Sequence, residues 1–419
     1  MKILAITAFY PPHHSGGYEL RCKDVLEGLK QRGHDILVLT SQCPAGSSCD
    51  AHPNEDGVLR RLHHRFEHTP VLSQIISDCI DMALIERVVK DYQPDLIYLW
   101  HIQNLSNAIL PYFSHQNIPI VFDEGGSNLI YLSRVHKRGI YFYQNDRDFV
   151  IKKLLKKLVY LFARLASANR IKVNWTWPKH MDIYFNSQSS LDYARMQGAQ
   201  TDHAQVIYSG IDISKFPYTS NGHLTSPVKI IAPGRIKEQK GLLDAVFLAK
   251  ELVERKIPVM VIIAGKVQSE SYYQEILREI SACGLGDVVQ CQPMLPQEEL
   301  SRLYRDSDFC FFPSYYQRIG FSRIPLEAMA SGCVVITYGN EGSKEIIQDK
   351  ETGFLIKEGA IQVAAGLIDD LVDTPHSYQN VIQNARLSIE NHYSLDKYVD
   401  TIEKYLFDCL QENLNSLQK

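Results

Sequence analysis

The chain has 419 residues, of which 45% are hydrophobic and 22% are charged. One hydrophobic core seldom serves more than about 300 residues, so this length predicts two domains, and the ordinary composition excludes a disordered or fibrous protein. A formal net charge of -4 argues against nucleic acid as a partner. Nine scattered cysteines, without Cys-x-x-Cys or zinc-type spacing, predict small core residues in a reducing compartment.

Short apolar segments alternate with helical patterns from the N-terminus onward. A strand at 2–8, a helix at 18–32 and a strand at 35–41 predict one βαβ unit of a parallel sheet. The first apolar run is too short for a secretory signal, and no run approaches the roughly 18 apolar residues of a membrane-spanning helix. The chain is therefore predicted to be cytoplasmic. Further buried strands are predicted at 95–101, 118–124 and 182–188.

The same alternation starts again after a turn with Gly and Pro at 205–217. Two βα arrays in tandem predict an α/β protein with two Rossmann-like, doubly wound domains that face one another across a cleft. The predicted domains are 1–204 and 205–394, and an amphipathic helix at 395–419 is expected to pack back on the first domain. The strands of the second array are predicted at 228–235, 259–266, 288–294, 309–314 and 333–338.

Three segments carry residues suited to a nucleotide. Gly16 and Gly17 precede a helix, so backbone N–H groups there can approach an anion closely. Arg235 and Lys240 follow a strand and can clamp a diphosphate, and Glu327, at the start of a later helix, can accept ribose hydroxyls. Read singly, each segment has an ordinary alternative: a tight turn, two solvated charges and a helix-capping glutamate.

The order and spacing of these segments resemble a known family over nearly the whole chain. The most specific motifs are PGR…KG at 233–241 and EAMASG at 327–332, supported by YPP and GG at 10–17 and WHIQN at 100–104. They resemble the GT-B retaining glycosyltransferases of family 4, also called glycosyl transferases group 1. The resemblance implies the GT-B fold and transfer of a sugar from a UDP- or GDP-linked nucleotide sugar. It also implies a glycan or lipid-linked acceptor, for example in surface polysaccharide or glycolipid synthesis, with no cofactor and no metal.

The resemblance also assigns roles to individual residues. It implies that His101 lies near the anomeric carbon as an active-site residue together with Arg235 and Lys240, although a lone histidine after an apolar strand is more often a core residue. The donor-binding set that it implies is Gly16, Gly17, Gly234, Arg235, Lys240, Gly320, Phe321 and Glu327.

One departure from the family pattern concerns the donor sugar. The family has two glutamates eight positions apart, and Ile319 occupies the position of the first. Because that carboxylate normally contacts hydroxyls of the donor sugar, Ile319 predicts either an altered donor choice or lost activity. Two alternatives to a transferase therefore stay open: a nucleotide-sugar epimerase of the same fold and a non-catalytic nucleotide-binding subunit.

The segment 150–170 carries a separate signal. At 100° per residue its apolar side chains occupy one arc, and its six basic residues occupy the other. A helix of this kind can lie on an anionic membrane, which would make the chain peripheral on its inner face. An ordinary domain helix with its basic side in water is the alternative. The basic residues are Lys152, Lys153, Lys156, Lys157, Arg164 and Arg170.

Two Asp-x-Asp pairs, at 146–148 and 306–308, resemble the metal-binding pair of the other glycosyltransferase fold. Asp308 precedes a buried strand, and the implied family needs no such metal. Both pairs are therefore predicted to be chance matches.

Overall fold

The computed structural model describes residues 1–14, 16–42, 56–65, 69–141, 150–178, 181–218, 224–292, 295–315 and 322–417. The chain divides into two compact units. The N-terminal unit contains Met1–Tyr208 and Val399–Lys419, and the C-terminal unit contains Ser209–Tyr398. The sequence predicts this boundary between residues 204 and 205.

The N-terminal unit is built on a seven-stranded sheet in which every described strand pair is parallel. Its three central strands are almost wholly buried, as expected when helices cover both faces of a parallel sheet. The elements, in chain order, are β1 (Lys2–Thr7), α1 (Gly17–Gln31), β2 (Asp35–Ser41), β3 (Val58–Leu62), α2 (Val71–Tyr92), β4 (Leu96–Leu99), α3 (Ile109–Phe113), β5 (Ile120–Glu124), α4 (Asn128–Arg138), α5 (Val150–Ala166), β6 (Met181–Phe185), α6 (Gln188–Met196) and β7 (Gln205–Val206).

The C-terminal unit contains a six-stranded parallel sheet of the same kind. Apolar clusters lie on both faces of this sheet. The elements are β8 (Val228–Pro233), α7 (Leu243–Glu254), β9 (Val259–Ala264), α8 (Glu270–Ala282), β10 (Val289–Gln292), α9 (Gln297–Arg305), β11 (Phe309–Phe312), α10 (Arg323–Ser331), β12 (Val334–Tyr338), α11 (Glu341–Lys344), β13 (Phe354–Ile356), α12 (Ile361–Asp373) and α13 (Pro375–His392). The last helix, α14 (Leu395–Leu417), begins in this unit and belongs to the N-terminal unit from Val399 onward.

The order of strands reverses once in each sheet. The N-terminal sheet has the order β3-β2-β1-β4-β5-β6-β7, so the chain adds strands on one side of β1 and then crosses to the other side. The C-terminal sheet has the order β10-β9-β8-β11-β12-β13 and reverses between β8 and β11. In open α/β sheets, ligands bind outside the carboxyl ends of the strands at such a reversal.

The last helix is held on the N-terminal unit by charge and close packing. Arg32 forms ion pairs with Asp400 at 2.7 Å and Glu403 at 3.0 Å, and His34 Nε2 lies 2.7 Å from Glu403 Oε1. Burial acts to raise the pKa of Glu403, but hydrogen bonds from His34 and Arg32 outweigh it and lower that pKa. These contacts fix α14 against the end of α1.

A buried carboxylate in the C-terminal unit has structural partners. Asp308, in one of the two Asp-x-Asp pairs, is buried and accepts hydrogen bonds from the backbone N–H groups of Thr225 and Lys229, at 3.0 and 2.8 Å. This carboxylate ties the start of β8 to β11, and the pair at 146–148 lies outside the described residues. No helix in the described part of the chain has the length and apolar character needed to cross a bilayer.

Candidate functional site

The loop after β1 places the N-terminus of α1 at the reversal point of the N-terminal sheet. The backbone N–H of Gly16 donates to Glu19 Oε2 at 3.0 Å, and α1 begins at Gly17. A Cβ atom added to Gly16 would meet no atom within 4 Å. Packing in the protein therefore does not require glycine here, and a group can approach the backbone closely at this point.

His101 follows β4, the strand beside β1. Its Nδ1 atom lies 3.8 Å from Oε1 of Glu19, a carboxylate that is only 2% exposed. Burial lowers the pKa of His101, and the charge of Glu19 acts against this effect without cancelling it. His101 thus has a pKa below its usual range beside a buried carboxylate, and the ring centres of His101 and Tyr18 lie 5.7 Å apart in an edge-on arrangement.

Two further histidines share this region, and sequence reasoning did not predict them. The ring of Phe9 lies 4.6 Å from His13, 4.8 Å from His64 and 6.5 Å from His101. Burial lowers the pKa of His13, with Arg60 adding to the effect, and burial also lowers the pKa of His64. The three histidines are distant in sequence and follow no motif, so no sequence signal brings them together.

A buried polar cluster behind this loop positions α1. Arg21 forms an ion pair with Asp123 at the end of β5, and the Tyr18 hydroxyl donates to the Asp123 carbonyl at 2.7 Å. The neighbouring Glu124 accepts backbone hydrogen bonds from the first turn of α4, including Leu129 N–H at 2.7 Å. Burial raises the pKa of Glu124 to about 7 against these hydrogen bonds. These contacts are structural, since they fix helices to the carboxyl edge of the sheet.

In the C-terminal unit the backbone turns sharply where β8 ends. Gly234 has a φ of +154° and Gly265, at the end of β9, has a φ of +150°. A Cβ atom on Gly265 would lie 2.0 Å from the carbonyl oxygen of Gly234, so these two backbone segments touch. Sequence reasoning named Gly234 but missed Gly265, which permits this close approach.

Three cations lie on the loop between β8 and α7. Arg235 is exposed, and Lys240 places its Nζ atom 5.4 Å from the ring centre of Phe312 at the end of β11. Burial lowers the pKa of Lys240 to about 8, and Arg235 and Lys237 act in the same direction. Burial and Arg235 also lower the pKa of Lys237, a residue that sequence reasoning did not select. Within the described residues, none of the three forms an ion pair.

Backbone contacts hold this cation loop against the loop that follows β11, the neighbour of β8 in the sheet. The backbone N–H of Tyr315 donates to the Gln239 carbonyl at 3.2 Å. Gly241 has a φ of +62°, and a Cβ atom there would lie 2.1 Å from the carbonyl oxygen of Pro313. The loop after β8 is thus fixed to the loop after β11, across the reversal point of the second sheet.

Glu327 lies on α10, the helix that follows β11. The sequence predicted Glu327 at the start of the helix. In the structure, Ser322 caps the helix by accepting from Ile324 N–H at 3.3 Å, so Glu327 instead lies in the second turn. The carboxylate is largely buried. Tyr304 donates to Oε2 at 3.3 Å, and Arg323 Nε lies 3.5 Å from Oε1. These two partners, which sequence reasoning missed, fix the orientation of the carboxylate.

The predicted site residues that the structure describes lie at the reversal points of the two sheets. Gly16, Gly17 and His101 lie at the reversal between β1 and β4 in the N-terminal unit. The predicted cations and Glu327 lie on the segments that follow β8 and β11 in the C-terminal unit. Neither set includes a group of three or more His, Cys, Asp or Glu side chains arranged for a metal, and the other described residues contain none. Ile319, Gly320 and Phe321 lie outside the described residues.

Comparison with known sequences gives two family matches. The model described as Glycosyltransferase Family 4 matches residues 15–215, and the model described as Glycosyl transferases group 1 matches residues 219–388. A glycosyltransferase of Methanocaldococcus jannaschii is 22% identical over 97% of this chain and 98% of its own length. The glycogen synthase of Mycobacterium tuberculosis is 21% identical over 94% of this chain and 91% of its own.

Solved structures give the same result. The sucrose-phosphate synthase of Thermosynechococcus elongatus has a TM-score of 0.72 at 16% identity, covering 98% of this chain and 99% of its own. The Anabaena protein HepE, solved in complex with UDP, has a TM-score of 0.69 at 20% identity, covering 97% of this chain and 100% of its own. These similarities, together with the two parallel-sheet units, show the GT-B fold. The chain is a transferase and belongs to the group 1 glycosyltransferases.

Proposed function

We propose that this glycosyltransferase moves a sugar from a nucleoside-diphosphate sugar to an acceptor hydroxyl, with the anomeric configuration retained. The observation that carries the proposal is the loop with Arg235, Lys237 and Lys240, where cations gather without an ion pair among the described residues. A bound diphosphate would supply the missing counter-charge. The structures of Anabaena HepE with UDP and with UDP-glucose add support for a nucleotide-sugar donor.

The proposed role of the cations is to stabilise the leaving group. Negative charge grows on the diphosphate as the bond to the sugar breaks, and fixed cations lower the free energy of that transition state. Arg235 and Lys240 supply this charge, and the N-terminus of α7 adds its dipole. The proposal requires no metal and no cofactor, because the loop itself provides the neutralising charge.

The proposed role of Glu327 is to bind the ribose. Its carboxylate is fixed by Tyr304 and Arg323, and a fixed carboxylate can accept hydrogen bonds from both ribose hydroxyls. In the same proposal, Gly234 allows the diphosphate to approach the backbone, and Gly320 and Phe321 complete the donor contacts.

In the N-terminal unit, the proposed donor contacts are the backbone at Gly16 and Gly17. The N-terminus of a helix such as α1 favours an anion or a sugar oxygen, because backbone N–H groups point outward from its first turn. His101 is proposed to contact the sugar near its anomeric carbon as a neutral imidazole, because burial keeps its pKa low. The proposed acceptor is a glycan or a lipid-linked sugar.

The first prediction tests the cations. Arg235→Ala and Lys240→Ala should each weaken UDP or GDP binding by about 1.5 to 3 kcal/mol, the worth of a charge-assisted hydrogen bond. Isothermal titration calorimetry measures the dissociation constants. Lys250→Ala, which removes an exposed cation from α7, is the matched control and should bind like the wild type. Wild-type affinity in both loop variants would remove the diphosphate site from this loop.

The second prediction tests the ribose contact. Glu327→Gln should weaken binding of the preferred nucleoside diphosphate by about 1 to 3 kcal/mol and should weaken its 2′-deoxy analogue much less. Tyr304→Phe keeps the carboxylate but removes one orienting hydrogen bond, so a smaller loss is expected. Urea unfolding of each variant controls for stability. Equal losses for the two nucleotides would mean that Glu327 supports the fold and does not bind ribose.

The third prediction tests transfer itself and the role of Ile319. An apolar side chain at this position favours a donor whose sugar is less polar there, such as a 6-deoxy sugar, or compensation by the neighbouring Gln317, Arg318 or Ser322. The wild type should transfer such a sugar to an acceptor, and Ile319→Glu should use that donor less well. A panel of donors, with products resolved by mass spectrometry and NMR, gives both rates and anomeric configuration.

Three outcomes of that panel would contradict the proposal. Nucleotide binding without turnover by the wild type, together with activity gained by Ile319→Glu, would identify a binding subunit. An isomerised nucleotide sugar formed without an acceptor would identify an epimerase. Product with inverted anomeric configuration would exclude retention.

A further inference from the structure

Two helices of the N-terminal unit expose large apolar side chains to solvent. Among the described residues, fourteen large apolar side chains are exposed, and seven of these lie on α2 and α5. The α5 stripe consists of Leu158, Leu161, Phe162 and Leu165, which are 51 to 70% exposed. The α2 stripe consists of Leu72, Ile76 and Ile80, which are 52 to 59% exposed and follow one another at every fourth position. Half of the large exposed apolar side chains are thus concentrated on two elements.

The structure fixes these two helices beside one another. Tyr141 donates to Asp78 of α2 at 2.9 Å, and its ring lies 6.1 Å from that of Tyr160 on α5. Just beyond α5, Arg170 forms an ion pair with Glu86 of α2 at 2.6 Å. The outward direction of both stripes is therefore set by specific contacts within the unit.

The basic arc of α5 lies partly against the unit and partly in solvent. Ala163 is fully buried and marks the inner side of the helix, and Lys156, from the basic arc, donates to the Arg138 carbonyl at 2.6 Å. Lys157 and Arg164 are exposed. At 100° per residue they lie between this inner side and the edge of the α5 stripe at Leu161. The helix thus presents an apolar stripe with cations at its border.

The described acidic side chains that α2 and α5 contribute beside the stripes are buried or ion-paired. The segment 150–170 contains six basic and no acidic residues. On α2, Asp78 and Asp81 are buried, the first paired with Arg65 and the second 2.7 Å from His63 Nδ1. Glu86 is occupied by its ion pair with Arg170. Among the described residues of α2 and α5, the charge that remains at the border of the stripes is positive.

The combination of apolar stripes with bordering cations favours an anionic bilayer over a second copy of the chain. A second copy of the chain docking through the same face would form a two-fold interface and would bring two sets of cations together, which repel. An anionic bilayer fits both features, because apolar side chains of an interfacial helix enter the acyl boundary while lysine and arginine reach the lipid phosphates. We propose that the N-terminal unit docks on an anionic membrane through the α5 and α2 stripes, with Lys157 and Arg164 contacting lipid phosphates.

The proposal concerns the surface of the unit and does not depend on the donor-site proposal. A lipid-linked acceptor would reach an enzyme held in this way without leaving the bilayer. Vesicle binding is measured without nucleotide, and UDP or GDP binding is measured in parallel on every variant. Loss of vesicle binding with nucleotide binding kept contradicts only the membrane proposal, and the reverse contradicts only the donor-site proposal.

The test is co-sedimentation of the full chain with vesicles of phosphatidylcholine, with and without phosphatidylglycerol. The wild type should bind the anionic vesicles only, and less so as salt is raised. The Lys157→Gln/Arg164→Gln double variant should lose roughly 30-fold in affinity, at about 1 kcal/mol for each cation. The Leu161→Ser/Phe162→Ser double variant should lose at least about tenfold. Leu387→Ser, at an equally exposed leucine on α13, is the matched control and should bind like the wild type.

A second measurement locates the inserted residue. In Phe162→Trp, brominated lipid chains should quench the added fluorescence on anionic vesicles, and in Leu387→Trp they should not. The proposal is overturned if the wild type does not bind anionic vesicles, if both double variants bind as it does, or if the added indole is not quenched. A wild-type dimer in light scattering that the Leu161→Ser/Phe162→Ser variant dissociates, with vesicle binding unchanged, would assign the stripes to a second copy instead.

Discussion

The reversal of strand order in each parallel sheet is the constraint on which the candidate residues of both units depend. At a reversal, the loops after two adjacent strands turn toward opposite faces, which leaves room between them at the carboxyl edge. The chain uses this position twice, between β1 and β4 and between β8 and β11. Gly16 and His101 follow the first pair of strands, and Lys240 and Glu327 follow the second. The topology thus determines where chemistry can occur, and the loops determine which chemistry.

The candidate regions of the two units differ in their electrostatics. In the N-terminal unit, burial lowers the pKa of His101, and its Nδ1 atom lies 3.8 Å from the buried carboxylate of Glu19. In the C-terminal unit, Lys240 is a partly desolvated cation whose pKa falls to about 8 because burial and neighbouring cations disfavour the proton. The folded chain therefore holds that charge less favourably than water does, and an anion bound beside it would reverse this effect. The proposed function assigns the diphosphate to the cation loop and the sugar contact to His101.

The sequence predicted more of the fold than of the site's surroundings. Apolar runs located β1, β8 and most other strands to within a few residues, because strands buried on both faces leave a continuous signal. Local motifs located the cation loop and Glu327, but contacts made across many residues left no local pattern. The hydroxyl of Tyr304 on Glu327 is one such contact, and the histidines around Phe9 are another. Periodicity likewise showed which residues of α5 share a face, but not what that face contacts.

In the proposed function, Lys240 binds the donor diphosphate as a cation with a lowered pKa. The most direct test is the UDP or GDP dissociation constant of the wild type and of Lys240→Arg, measured from about pH 7 to about pH 9.5. The wild-type constant should rise by up to tenfold per pH unit above about pH 8, because Lys240 loses its proton there. In Lys240→Arg it should stay flat, since the guanidinium keeps its charge. A flat wild-type profile, or the same rise in the arginine variant, would contradict the account.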